Sequence, residues 1–305
     1  MKLIDMGESG LLASEVVMGC MRLDVLTEKE LEELVNVAIE QGINLFDHAD
    51  IYGAGACETN FGTLLKKQPH IRESILLQSK CGIRPGYYDL SKSYILESVD
   101  GILKRLQTDY LDVFILHRPD TLLEPEEIAE AFENLQRVGK VKHFGVSNMN
   151  SYQIELLKTA VKQPLIINQL QFSPIHASIV TSGIQSNTHF PGASNRDGHI
   201  LEYSRIHKMT LQAWSPFQYG FFDGVYIDHP DYEELNEVLS RFAMEKKTTK
   251  AAIAVAWILT HPARMQTIVG TTNSQRLLDI CEASEIKLTR AEWYEIYLAA
   301  GHVLP

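Results

Sequence analysis

Asn44-Leu45-Phe46-Asp47-His48-Ala49-Asp50-Ile51-Tyr52-Gly53 starts apolar and ends polar. Its first half, Asn44–Asp47, has the length and character of a strand covered on both faces, as in a parallel sheet. The chain then turns through polar residues and glycine. The same event recurs twice: Ser74–Ser79 runs into Lys80, and Leu111–Leu116 runs into His117. Three successive apolar strands that each end on an ionisable group predict a sheet whose C-terminal edge carries the chemistry.

Upstream of this segment, Val16–Gly19 reads as a first strand and Lys2–Ser14 as a small hairpin. Glu28–Gln41 places Leu31, Leu34, Val35, Ala38 and Ile39 at helical spacing. Thr27 and Glu30 form a capping box at its start, and Gly42 stops it. Downstream, the strand–helix unit repeats. Strands are expected at Asn44–Asp47, Ser74–Ser79, Leu111–Leu116, Val141–Val146, Leu165–Gln169, Met209–Ala213 and Gln266–Val269. Helices are expected at Glu58–Lys67, Lys92–Leu106, Pro125–Val138, Ser151–Val161, Lys250–Thr260 and Ser274–Ala283, with a last one over Thr289–Gly301. Eight strands in this rhythm predict an α/β fold, a (β/α)8 TIM barrel with a short N-terminal β-hairpin and an extra C-terminal helix, in a single domain spanning 1–305. A doubly wound open sheet is the alternative. It would advertise G-x-G-x-x-G after the first strand, and the sequence has nothing of the kind there.

Two segments break the rhythm. Ser173–Arg196 is polar and rich in Gly, Asn, Ser and His, and reads either as a lid or as a surface excursion. Pro216–Tyr232 concentrates Phe217, Tyr219, Phe221, Phe222, Tyr226 and Tyr232 after the seventh strand, on the face where barrel sites are built.

Composition narrows the class. A net charge of -11 argues against nucleic-acid or anionic-membrane partners, while leaving room for a local basic pocket. No apolar run is long enough for a membrane span, and the N-terminus lacks a signal-peptide core, so a cytoplasmic location is expected. Cys20, Cys57, Cys81 and Cys281 contain no C-x-x-C pair, which fits a reducing compartment and no cysteine metal site.

Taken singly, Asp47 reads as a turn residue, Lys80 as solvated, His117 as structural and Tyr52 as packing. Together they have a chemical logic. Reducing a carbonyl needs hydride at carbon and a proton at oxygen. A tyrosine, with an ordinary pKa of about 10, is a weak acid that a neighbouring ammonium can tune. Lys80 supplies that ammonium, Asp47 holds the lysine, and His117 can hydrogen-bond the substrate oxygen.

At these residues the chain resembles the aldo-keto reductase superfamily. The resemblance covers Phe46-Asp47-His48-Ala49-Asp50-Ile51-Tyr52-Gly53, Ser79-Lys80, Asp109-Tyr110-Leu111-Asp112 and Leu116-His117. It continues through Gly139-Lys140-Val141, Gly145-Val146-Ser147-Asn148, Asn168-Gln169, Trp214-Ser215-Pro216 and Gly270-Thr271-Thr272. It implies reversible, metal-free reduction of a small-molecule carbonyl substrate with NADP(H). Tyr52 would be the general acid, Lys80 and Asp47 its tuning pair, and His117 the group orienting the substrate oxygen. For the cofactor it implies Ser147, Asn148 and Gln169 at the carboxamide, and Trp214 stacked on the nicotinamide. Ser215, Phe217, Gln218 and Gly220 would surround the pyrophosphate, with Met21 and Arg22 near the phosphates. Gly270, Thr271, Thr272 and Arg276 would lie around the 2′-phosphate and Asp279 near the adenine. Two departures and alternatives stand beside this. Many family members carry lysine where this chain has Gly270, and Ser147-Asn148 could instead cap the following helix. A nucleotide-sensing regulatory subunit on the same scaffold is the alternative function, and a barrel lyase, isomerase or hydrolase would explain Gly270–Arg276 but not the four polar residues.

Overall fold

The computed structural model describes residues Met1–Pro305. Its eight parallel strands are Val16–Gly19, Leu45–Asp47, Leu76–Cys81, Leu111–Leu116, Val141–Ser147, Leu165–Gln171, Thr210–Trp214 and Gln266–Val269. They pair in chain order, and the eighth returns to the first with Thr267 opposite Val16 and Val269 opposite Met18. That closure makes a (β/α)8 barrel and rules out the open sheet.

Strand alternation explains the interior. Successive side chains point to opposite faces, so every second residue enters the barrel. Val17, Leu45, Val113, Ile115, Ile167 and Ile268 form one apolar cluster there. The other parity, including Val16, Met18, Phe46 and Phe114, packs against the helices in a larger core. Two residues further along the inward parity, Leu45 leads to Asp47, Ile115 to His117 and Ile167 to Gln169. The same phase takes Gln78 to Lys80 and Gln212 to Trp214. The floor is therefore apolar and the C-terminal mouth polar. Gly145 is part of this arrangement, since a Cβ there would lie 2.3 Å from Ile167 Cγ1.

The N-terminal hairpin pairs Leu3–Asp5 with Leu12–Ser14 in antiparallel register. It contributes Met6 and Ala13 to the inner cluster and so plugs the barrel floor. Gly7, at φ +58, sits against Ile166, whose Cα would be 2.7 Å from an added Cβ. The capping box forms as its sequence predicts: Thr27 Oγ1 accepts from Glu30 N and Glu30 Oε2 accepts from Thr27 N, 2.8 Å away.

Several sequence expectations are corrected. The third strand runs to Cys81, so Lys80 lies inside it and does not follow its end. Ser74 belongs to a short helix, Pro69–Ser74, opened by its proline. The connection after the sixth strand is not a continuous excursion. It holds the helices Ser178–Ile184 and Ile200–Ile206, anchored by buried Ile179, Val180, Ile200 and Leu201. Thr181 Oγ1 and Tyr297 OH are 2.9 Å apart, tying the first of them to the last helix, Arg290–Ala299. An unexpected helix, Glu233–Lys246, precedes Lys250–Thr260, with Leu235, Leu239, Phe242 and Ala243 buried. All four cysteines are free and buried. No helix is long and apolar enough to cross a membrane.

Candidate active site

The mouth of the barrel opens into a cavity of about 780 Å³. Its first wall is the segment after the second strand. Asp47 ends the strand, and the parallel ladder continues into the loop: His48 N donates to Gln78 O (2.9 Å) and Asp50 N to Lys80 O (3.0 Å). Gly53 and Ala54 then take φ of +55° and +52° and turn the chain into the helix Ala56–Lys67. The turn leaves the half-buried Tyr52 on the cavity.

Asp47, Lys80, Tyr52 and His117 come together as expected. Lys80 is fully buried, and its Nζ donates to Asp47 Oδ1 (2.7 Å) and to the carbonyl of His48 (2.6 Å). It lies 5.0 Å from the centroid of the Tyr52 ring. The rings of Tyr52 and His117 meet edge-on with centroids 6.1 Å apart. Burial pulls the Lys80 pKa down, but Asp47 and Tyr52 more than reverse it, so the ammonium is held above its usual range.

Tyr52 differs from the simple expectation of a phenol made more acidic by lysine. Lys80 does lower it, but burial is the larger effect and Asp47 adds to it, so the phenol is pushed up to about 12. His117 is held well below the usual histidine range, by burial first and then by Lys80 and Arg118. Its imidazole is thus neutral at physiological pH. The pairing that results, a protonated phenol beside a neutral imidazole, can offer hydrogen-bond donors to one oxygen.

Beneath this group lies a polar layer of which sequence reading singled out only Asp47 and Gln169. Asp47 Oδ1 also accepts from Gln78 Nε2 (2.6 Å) and Gln169 Nε2 (3.1 Å). Both glutamines bond to Gln212 Oε1, and Gln212 Nε2 donates to Gln266 Oε1 (3.0 Å). Gln266 Nε2 ends the chain on Ser14 O of the hairpin, 2.7 Å away. Buried amides carry donor and acceptor together, so they can pass satisfaction along a line. The available signal for the rest was Gln78, Gln212 and Gln266, amides set inside largely apolar strands.

Of the expected cofactor residues, Met21, Arg22, Asp47, Ser147, Asn148, Gln169, Trp214, Ser215, Phe217, Gln218, Gly270, Thr271, Arg276 and Asp279 line the cavity. Gly220 and Thr272 do not. Gly220, at φ +59, shapes the turn of a small hairpin, Gln218–Tyr219 with Gly224–Val225, and Thr272 is exposed. Ser147 and Asn148 do not cap the next helix. That task falls to Asn150, whose Oδ1 accepts from Gln153 N (2.9 Å). Asn148 instead takes φ +57 and bridges Ser147 Oγ (2.7 Å) to Trp214 Nε1 (3.2 Å). Arg22 Nη2 donates to Gly270 O at 2.5 Å, and Asn273 caps the helix Ser274–Cys281. Ile51, Arg118, Phe221 and Phe222 also line the cavity, whereas Tyr87 and Tyr88 are exposed and absent from it. No residue of Ser173–Arg196 reaches it, so that segment is not a lid on this cavity.

His48 and Asp50 are adjacent but have other environments. His48 is buried against Phe61 with neither ring nitrogen hydrogen-bonded, and burial with the Lys80 charge pushes it down to about 3. Asp50 accepts from Tyr94 OH (3.1 Å).

Comparison with known proteins settles the family. The model of the Aldo/keto reductase family matches residues 15–298. The chain belongs to that family. It is 34% identical to the oxidoreductase YcsN of Bacillus subtilis (strain 168), with 96% of each chain covered. It is 32% identical to a 6-dehydroglucose reductase of Agrobacterium fabrum, over 87% of this chain and 86% of the relative. Among solved structures it is similar to the thermostable aldo-keto reductase Tm1743, in complex with the inhibitor epalrestat. That likeness has a TM-score of 0.79 and 25% identity, over 98% of this chain and 100% of the other.

Proposed function

We propose that this protein reduces aldehydes or ketones to alcohols with NADPH, and that Tyr52 is the general acid. The observation that carries the reading is the meeting of Tyr52, Asp47 and His117 on a cavity that Asn148, Gln169 and Trp214 also line, with Lys80 buried behind them and bonded to Asp47.

The residues present fit a phosphorylated nicotinamide cofactor. The half-buried Trp214 offers an aromatic face, and Ser147, Asn148 and Gln169 offer the donors and acceptors an amide requires. Arg276, beside Thr271 and the capped helix, has no side-chain partner in the protein and suits a 2′-phosphate. Gly270 removes a lysine common in relatives, but an added Cβ there would meet nothing nearer than Arg22 Nη2 at 3.8 Å. Arg22 therefore brings a cation to that place. When bound, the cofactor supplies hydride. The chain's own part is to hold the carbonyl oxygen between Tyr52 and His117. Tyr52 gives up its proton as charge develops on that oxygen, and Lys80, fixed by Asp47, stabilises the phenolate that remains.

Titration of NADPH and NADH into wild type and Arg276→Ala tests the cofactor assignment. Wild type should bind NADPH more tightly and oxidise it with reactive aldehydes. Arg276→Ala should lose about 10-fold or more for NADPH and little for NADH, as expected for a lost charge-assisted contact. Equal affinity of wild type for the two would contradict it. Tight NADPH binding with no turnover of any aldehyde would favour the regulatory alternative.

A further inference from the structure

Three cations line the cavity: Arg22, Arg118 and Arg276. Arg22 is bonded to Gly270 O, and Arg276 stands at the far end with Thr271 and Asp279, at the proposed cofactor phosphate. Arg118 is the third, and it directly follows His117 at the reacting end. It is half-buried and makes no hydrogen bond or ion pair within the chain. The cavity's carboxylates are committed elsewhere. Asp47 takes Lys80 and two glutamines, Asp228 pairs with Lys250, and Asp279 accepts from Gln275.

The Arg118 guanidinium lies 5.7 Å from the Trp214 ring centroid and 6.0 Å from that of Phe221. Trp214 is itself stacked with Phe222, 17° from parallel. Aromatic faces attract a guanidinium and restrict its motion, but they leave its in-plane N–H donors unsatisfied. A partly desolvated cation that the chain leaves without an anion is a place for an anion brought by a ligand.

We infer that Arg118 is a carboxylate-binding residue and that the substrate class is a carbonyl compound bearing a carboxylate, an oxo-acid or an aldehyde acid. The inference rests on the carbonyl-reductase reading. Hydride reaches the carbonyl carbon, Tyr52 gives the proton to its oxygen, NADPH is oxidised, and the carboxylate passes through unchanged. One guanidinium among Ile51, Trp214, Phe221 and Phe222 matches the planar, two-oxygen carboxylate, whereas a phosphate dianion calls for more donors than this corner has.

The first measurement compares each acid with an uncharged counterpart: succinic semialdehyde with butanal, and 4-carboxybenzaldehyde with its methyl ester, using NADPH. Wild type should favour the acid of each pair in kcat/KM, carried mainly in KM. Arg118→Met should reduce that preference by about 10- to 100-fold, and Arg118→Lys should restore part of it. A ratio near one in wild type, or a preference that Arg118→Met leaves intact, overturns the inference while the reductase reading stands. The second measurement needs no turnover. Of the three tryptophans, Trp214 alone lines the cavity, so its fluorescence reports ligands there. Benzoate should quench it at about 10-fold or more lower concentration than benzamide, in wild type but not in Arg118→Met. Equal titrations of benzoate and benzamide overturn the inference even if every aldehyde proves inert, a result that would separately defeat the reductase reading.

Discussion

Lys80 is the residue on which the site's electrostatics turn. A fully buried ammonium is costly unless paired, and its only partners among acceptors are Asp47 Oδ1 and the His48 carbonyl. Asp47→Asn keeps the shape but removes the charge. It should destabilise the protein by about 3 kcal/mol, the cost of breaking a buried pair, and cut turnover by about 100-fold or more; chemical denaturation and steady-state kinetics measure the two. A loss of activity with unchanged stability would mean that Lys80 finds another partner. Asp50 makes the opposite kind of prediction. Burial, opposed by the Tyr94 hydrogen bond, raises it from 3.8 to about 6 in the folded protein. The folded state therefore holds that proton where the unfolded state releases it. The stability this confers is complete below about pH 4 and is lost as pH rises through about 6, amounting to about 1–3 kcal/mol. Asp50→Asn should accordingly raise the melting temperature at pH 8 relative to wild type and change it little at pH 4.

At the scale of elements, the helix Ala56–Lys67 matters because it begins four residues after Tyr52 and so sets where that tyrosine stands. It lies on the helix Lys92–Leu106, joined by Arg105 Nε donating to Glu58 Oε2 at 2.8 Å. Gly62 makes the close approach possible, since a Cβ there would lie 2.1 Å from Arg105 O and 2.7 Å from Leu106 C. Backbone cannot yield as a side-chain tip can. Gly62→Ala should cost about 1–3 kcal/mol or more and lower the melting temperature by several degrees, with kcat reduced as the helix shifts. Thermal unfolding decides it, and an unchanged midpoint would show that the helices separate freely.

Element by element, what the sequence disclosed followed physical signal strength. The strands and the flanking helices were legible because burial on both faces leaves continuous apolar runs. Ser178–Ile184 and Ile200–Ile206 were not, because each is only seven residues long with two buried apolar positions at its start, and the first also contains Ser, Thr and Gly, which carry weak helix propensity. Glu233–Lys246 has readable spacing at Leu235, Leu239 and Phe242, but its charged, polar remainder makes it hard to tell from the loop before it. In the site, Asp47 and His117 were legible from their place at strand ends, and Lys80 from its place one residue before the end of its strand. The line from Gln78 through Gln212 to Gln266 was not, because pairing across the barrel interior has no sequence spacing.

For the whole molecule, the barrel converts distant positions into one wall. The hairpin seals the floor, the inner layer grades from apolar to amide to charged, and the mouth receives Tyr52 from one loop and His117 from another strand. Even the buried Asp112 of the Asp109–Asp112 motif serves this closure, accepting from Leu77 N, Arg72 and Lys142 at 3.0–3.1 Å. On the proposed function this wall delivers a proton through Tyr52, whose hydroxyl is all that Tyr52→Phe removes. The decisive measurement is NADPH affinity and aldehyde turnover of that variant beside wild type. Tyr52→Phe should bind NADPH within about twofold of wild type and turn over about 100- to 10,000-fold more slowly. Turnover at the wild-type rate with Tyr52→Phe would contradict it.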